Sequence, residues 1–269
     1  MRKLLATAAV ALASLSGQAF AEGSDVKLLP VSFSFEGPFG TYDYHAVQRG
    51  FQVYKEVCAA CHGLSLVAYR NLQQIGLSEA AVKAIAADVQ IRDLNDVGEM
   101  ADRPGRPADR FRSPFPNELA ARAANNGAYP PDLSLMIKAR PNGAHYVYSL
   151  LQGYEDFAKL TADQKKAMGL AADFKMQPNM QFNKFFPGHQ IAMPKPLNEG
   201  QVTYNEEAQK EGIKNDLPQL AKDVVHFLAW ASEPKMEERK KTGVKAVLFL
   251  VILAGLFYAV KRKVWADVH

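Results

Sequence analysis

Cysteine is nearly absent from this chain: its 269 residues contain two. With no second pair, a disulfide framework and a four-thiolate zinc site are both excluded. Alternating, β-branched strand signal is scarce too, so a sheet-built domain is not expected. No internal repeat is evident, and long apolar runs are confined to the two ends. Charge of one sign is equally lacking. Lys and Arg total 32 against 28 Asp and Glu, a formal net charge of +4. That excess belongs to the ends, because residues 22–233 carry 22 basic and 25 acidic side chains. A mildly acidic central region excludes nucleic acid as a partner and suits a basic protein.

The two cysteines stand in Cys58-Ala59-Ala60-Cys61-His62. Two thiols three positions apart can each add to one vinyl group of a haem, and the adjacent His62 then becomes an axial ligand of the iron. This is the attachment pattern of a c-type haem, and a single such motif implies one haem. A thioredoxin-like redox pair would be expected near a strand–helix turn in a βαβ pattern. This motif instead ends a helical run.

The apolar ends read as a signal and an anchor. Arg2 and Lys3 precede an apolar run from Leu4 to about Leu15, then Ala19-Phe20-Ala21, a small-x-small cleavage site. Residues 1–21 are therefore expected to be a signal peptide. Near the other end, Ala246–Val260 is uncharged and lies between Lys245 and Lys261-Arg262-Lys263. Fifteen residues rise only about 22 Å as a helix, short of a hydrocarbon core of roughly 30 Å. Adding Thr242–Val244 and letting the flanking lysines snorkel makes a crossing feasible. The expected organisation is an exported domain at 22–233, a linker at 234–241, a transmembrane helix at 242–260 and a tail at 261–269. The signal peptide orients it, with the domain on the periplasmic side of a bacterial inner membrane and the tail in the cytoplasm.

Within the exported domain four helices are predicted. The first spans about Tyr42–Val57 with Asp43 as cap, and on it Gly50, Tyr54 and Cys58 share one face. The others span about Ser78–Ala87, His145–Leu151 (stopping near Gly153) and Leu217–Ala231, the last with a broad apolar face. Ala101–Pro116 and Pro178–Pro196 are expected as loops. The fold class is all-α around a haem.

Candidates for the sixth iron ligand are Met193, His189, Met180 and Met176. Met193 lies in an apolar loop stiffened by Pro194 and Pro196. A thioether is a weak donor and needs a backbone that fixes it. His45 and His226 fall on predicted helices, and Met136 reads as core.

Several blocks then carry a family likeness. They are Asn125 to Ser134, Lys138-Ala139-Arg140, Tyr146 to Leu151, Phe185-Phe186-Pro187-Gly188, Ile191-Ala192-Met193-Pro194, and Trp230 to Pro234. Together they resemble the cytochrome c1 family of the cytochrome bc1 complex over nearly the whole mature chain. The resemblance implies a class I cytochrome c-like haem domain with loop insertions plus one C-terminal transmembrane helix. It implies Met193 as the second axial ligand opposite His62. By the same likeness, the Pro131 carbonyl would accept from His62 Nδ1–H, Leu133 would cover the ring, and Arg140 with nearby Tyr146 would meet a propionate. Gly50 and Tyr54 would sit where Phe227 or Trp230 of the last helix crosses the first. The implied role is one-electron transfer from the Rieske iron–sulfur protein to a cytochrome c, beside cytochrome b, with no catalysis by the isolated chain. The alternative is an anchored monohaem cytochrome donating to a terminal oxidase.

Some bacterial members carry an extra cysteine pair stapling the loop before the methionine. This chain has none, so packing alone is expected to hold that loop, with Ala158–Phe182 either more mobile than in those relatives or shorter and better packed. The acids Asp88, Asp93, Asp96, Glu99 and Asp102 read as a solvated face, or as a docking surface for a basic cytochrome c.

Overall fold

The computed structural model describes residues 26–266. Helix α1 covers Tyr44–Glu56, capped by Asp43, whose carboxylate accepts from Ala46 N. Helix α2, Glu79–Ala87, is capped in the same way by Ser78. Short helices follow at Glu118–Ala124 (α3), Ala162–Ala167 (α5) and Glu206–Lys210 (α6). Between them, α4 spans Gly143–Gln152 and ends at Gly153. Helix α7, Leu217–Ser232, starts on an Asp216 cap with Pro218 in its first turn. The expected helices are thus present with ends shifted by one or two residues.

The core lies where α7 packs across α1 and against α4. Position 50 decides that crossing. A Cβ there would overlap the Asp223 carbonyl oxygen and reach within 2.9 Å of Phe227 Cβ. Without one, the two backbones meet, and the Phe227 ring lies 5.5 Å from Tyr54 and 5.4 Å from Phe51. Trp230 stacks behind Phe227 at 5.7 Å. A buried ion pair bolts the same crossing. Asp223 accepts from Arg49 at 2.9 and 3.0 Å and from Tyr204 OH at 2.8 Å.

The expectation of loop at Ala101–Pro116 and Pro178–Pro196 needs correction. Among the described residues, three small antiparallel ladders join the helices. Leu64–Ala68 (β1) pairs with Arg110–Phe111 (β4), and Gln90–Leu94 (β2) with Met100–Pro104 (β3). Gln181–Phe182 (β5) pairs with Gln190–Ile191 (β6). Outside β1, which buries Leu64, Val67 and Ala68, these strands bury little, and their apolar residues do not alternate along the chain. In β2 only Ile91 is buried. Its hairpin is set instead by the turn, where Asn95 Oδ1 accepts from Val97 and Glu99 N. Behind it Arg103 binds both Asp93 and Asp109 at 2.7 Å. Of the acidic run, Asp93 is thereby engaged, and Asp88 pairs with Lys55 at 3.3 Å.

Residues 236–241, expected as linker, are helical. Helix α8 is continuous over Met236–Val264, about 43 Å at 1.5 Å per residue. It is long and apolar enough to cross a membrane, and its apolar part is exposed. Its first turns are clamped to the domain. Lys240 Nζ donates to Phe35 O and Gly40 O at 2.7 and 2.9 Å, and Glu237 accepts from Tyr42 N at 2.8 Å. The Tyr42 hydroxyl lies 3.1 Å from Ala229 O and 3.0 Å from Glu233 O. Lys138 and Arg239 both pair with Glu233. The segment read as a signal peptide lies outside the described residues, as do 267–269.

Candidate haem site

Helix α1 ends as Val57 leaves helical geometry, and Cys58–Ala60 form a single tight turn. Both Cys61 N and His62 N donate to Cys58 O, at 3.1 and 2.9 Å. This doubled bond folds the two thiols and the imidazole onto one short arc. Tyr54, one helical turn before Cys58, donates its hydroxyl to His62 O at 3.0 Å and fixes where the arc leaves the helix.

His62 Nδ1 stands 2.7 Å from the Pro131 carbonyl oxygen. A carbonyl only accepts, so the proton is on Nδ1 and Nε2 keeps its lone pair. Burial lowers the pKa of the ring, against smaller raising effects from Pro131 and Asp132. A neutral imidazole with a free Nε2 is what an iron ligand requires, and a carbonyl on its other nitrogen makes it a better donor.

The Pro131 carbonyl is itself held. Asp132 accepts from Ser65 N and Ser134 N, both at 2.8 Å. Leu133 N donates to Gly63 O at 2.9 Å, and Leu66 N to Ser134 Oγ at 3.1 Å. Residues 131–134 are thus stitched to residues 63–66, just past the motif. Burial would raise the Asp132 pKa, but the hydrogen bonds from Ser134 and Ser65 pull it below the ordinary carboxylate value. Leu133 is buried in this seam at 8% exposure. Asp132 and Ser134 stand in the family-like block without an assigned role, and Ser65 is not named there, although Asp-x-Ser is a turn pattern that could have drawn attention to the pair.

The Cys58 thiol is of the wrong kind for dithiol redox work. Burial pushes the Cys58 thiol up to about 12, with Cys61 adding to the shift. A catalytic thiol needs the opposite displacement. The donor set fits a covalently held haem: two thiols, one neutral histidine with an oriented ring, and apolar neighbours.

Arg140 is exposed, and its guanidinium donates to the Ala139 carbonyl at 3.1 Å. Tyr146, on α4, is half-buried, and burial raises its pKa while Arg140 opposes the rise. The structure therefore brings these two within electrostatic reach.

Met193 follows β6 and is half-buried, and its carbonyl accepts from Tyr154 OH at 3.2 Å. Two other histidines are occupied elsewhere, and a third faces solvent on the first helix. His226 Nδ1 bonds Lys222 O at 2.9 Å, His145 bonds Glu36 at 2.5 Å, and His45 is exposed on α1. The His189 ring stacks on Phe182 at 5.7 Å.

Over residues 33–268 the sequence matches the Cytochrome C1 family. The chain belongs to this family. It is 43% identical over 274 residues to cytochrome c1 of Rhodospirillum rubrum, covering 100% of this chain and 98% of that one. It is 48% identical over 276 residues to the cytochrome b/c1 of Bradyrhizobium diazoefficiens, covering 99% of this chain. This chain spans 39% of that longer protein. Identity is 46% over 233 residues with the mitochondrial heme protein cytochrome c1-2 of Solanum tuberosum, covering 86% and 82% of the two chains. Within the Cytochrome C1 family, the match includes both the Cys58–His62 arc and the exposed helix α8.

Proposed function

We propose that this chain is the haem-carrying electron-transfer subunit of a cytochrome bc1 complex, with one c-type haem bonded to Cys58 and Cys61. The observation that carries the proposal is His62, whose Nδ1 is committed to Pro131 O and whose Nε2 is left as a donor beside both thiols. When bound, the haem supplies a one-electron ferrous/ferric couple.

The chain's own residues then have limited tasks. His62 and Met193 would hold the iron. Pro131 holds the imidazole tautomer, and Leu133 would keep water from the haem ring. Arg140, with Tyr146, would balance a propionate. No side chain is asked to move a proton or break a bond, so the isolated chain is not a catalyst. A thioether ligand raises the potential relative to a second histidine, which favours receiving an electron from a Rieske iron–sulfur protein and passing it to a cytochrome c. Cytochrome b is the membrane neighbour. Helix α8 serves as the anchor, residues 22–233 lie on the periplasmic side of a bacterial inner membrane, and residues 1–21 are removed.

Two measurements test this. Material solubilised from membranes should carry b-type haem together with c-type haem; c-type haem alone would favour a separate anchored cytochrome. Met193→Leu should retain attached haem while its midpoint potential falls by more than about 100 mV, and each 59 mV of a one-electron couple is about 1.4 kcal/mol. An unchanged potential would remove Met193 from the iron.

A further inference from the structure

The loop leading to Met193 is not held by packing alone. Asn183 is completely buried, at 0% exposure, and every polar group of its side chain is used. Its Nδ2 donates to the Leu150 carbonyl on α4 at 2.8 Å, and its Oδ1 accepts from Phe185 N at 3.0 Å. Its backbone N donates to His189 O at 3.0 Å, across the turn that closes the β5–β6 pair. The next residue continues the seam, since Lys184 N donates to Gly153 O at 3.0 Å. Gly153 is shaped to receive this side chain. A Cβ there would overlap Asn183 Oδ1 and approach Phe185 Cδ2 to 2.6 Å. One residue later Tyr154 bridges to Asn183 through its backbone and reaches forward with its hydroxyl to Met193 O.

The end of α4 is therefore tied to the methionine loop at two places. Asn183 fastens the start of the loop to Leu150, and Tyr154 fastens Met193 itself. A cysteine pair would do the same work covalently. The β5–β6 pair has two residues in each strand, too few to fix a loop unaided. At the turn between them, Gly188 and His189 both have positive φ, 74° and 60°. For a histidine that is an uncommon conformation, held only where neighbouring contacts impose it.

We infer that Asn183 and Tyr154 are positioning residues for Met193: together they staple its loop to α4 and set how readily the thioether leaves the iron. This rests on the reading of Met193 as the sixth ligand. Neither residue would touch the iron.

The test uses the full-length, haem-loaded protein. The ferric absorbance at about 695 nm that accompanies iron–thioether coordination is followed as pH is raised until the methionine is displaced. Haem attachment and thermal unfolding are measured in parallel. Asn183→Leu keeps the approximate volume and removes both side-chain bonds. It should lower the pH of half-loss by about one unit or more, a release about tenfold easier. Tyr154→Phe removes one hydroxyl and should lower it by about half a unit, roughly threefold. The potentials of both should fall in the same order, with haem still attached. A merely structural role would lower the unfolding temperature and leave the pH of half-loss where it was, and that result overturns the inference. Should Asn183→Leu emerge without haem, Tyr154→Phe decides alone, and a parent-like profile sinks the staple. Met193→Leu is the reference. Full retention of the 695 nm band there means the ligand assignment is wrong, whereas its loss alongside parent-like Asn183 and Tyr154 variants means only the staple is wrong.

Discussion

Gly50 of α1 sits directly against the main chain of Asp223 in α7. Nothing but hydrogen fits between them. Because backbone cannot swing aside like a side-chain tip, Gly50→Ala must push the helices apart. Overpacking of a core typically costs 1–3 kcal/mol, and with backbone on the far side we expect about 3 kcal/mol. For a domain of this size that lowers the unfolding temperature by roughly 6–12 °C. Gly243→Ala, also helical but with nothing within 4 Å of the added carbon, should leave it unchanged or higher. Equal effects in the two variants would refute the close-approach argument.

Asp223→Asn tests the bolt beside it. The substitution leaves the Arg49 guanidinium without its counter-charge in a partly buried site, for which about 3–5 kcal/mol is typical. The urea midpoint should drop accordingly, and pairing it with Arg49→Met should recover part of the loss. No recovery in the double variant would mean the two residues act separately.

Acid should act on the β2–β3 hairpin through Asp109. Hydrogen bonds from Arg103 hold its carboxyl at about 2, below the ordinary 3.8. A depressed pKa contributes stability that is present above the unfolded value and lost as pH falls. The hairpin should therefore loosen between about pH 4 and pH 2. Amide exchange at Ile91 and Arg103 in that window reports it, and Arg103→Gln should flatten the dependence. An identical slope in the variant would show that other carboxylates control the transition.

Where the chain is cut should matter more than the onset of its apolar run suggests. A fragment ending at Lys235 lacks Glu237, Arg239 and Lys240, all of which bond the domain. One ending at Lys241 keeps them. At about 1 kcal/mol for each hydrogen bond, the longer fragment should unfold several degrees higher. Equal melting of the two would mean the clamp adds nothing.

How much of this could be read from sequence follows from how each element is stabilised. Helices α1, α2 and α7 announced themselves through Asp43, Ser78 and an apolar stripe, because a capped, amphipathic helix writes its period into the chain. Cys58, Cys61 and His62 were legible because their chemistry fixes their spacing. Arg140 and Leu133 were named only through family likeness. The strands escaped notice because Gln90–Leu94 buries a single side chain, so the ladder is set by backbone bonds and Arg103 rather than by alternation. Asn183 escaped for a similar reason. An asparagine between Phe182 and Lys184 looks like a turn residue until its partner, 33 positions away on α4, is known.

Lys240 has a further consequence. By gripping Phe35 O and Gly40 O from inside the first turns of α8, it makes mast and head a single rigid casting. A head tied in this way turns with its stalk rather than upon it. Its tilt against the lipid plane is inherited from the helix. Under the proposed function, a donor and an acceptor meeting at the His62 face would therefore have to do the travelling themselves.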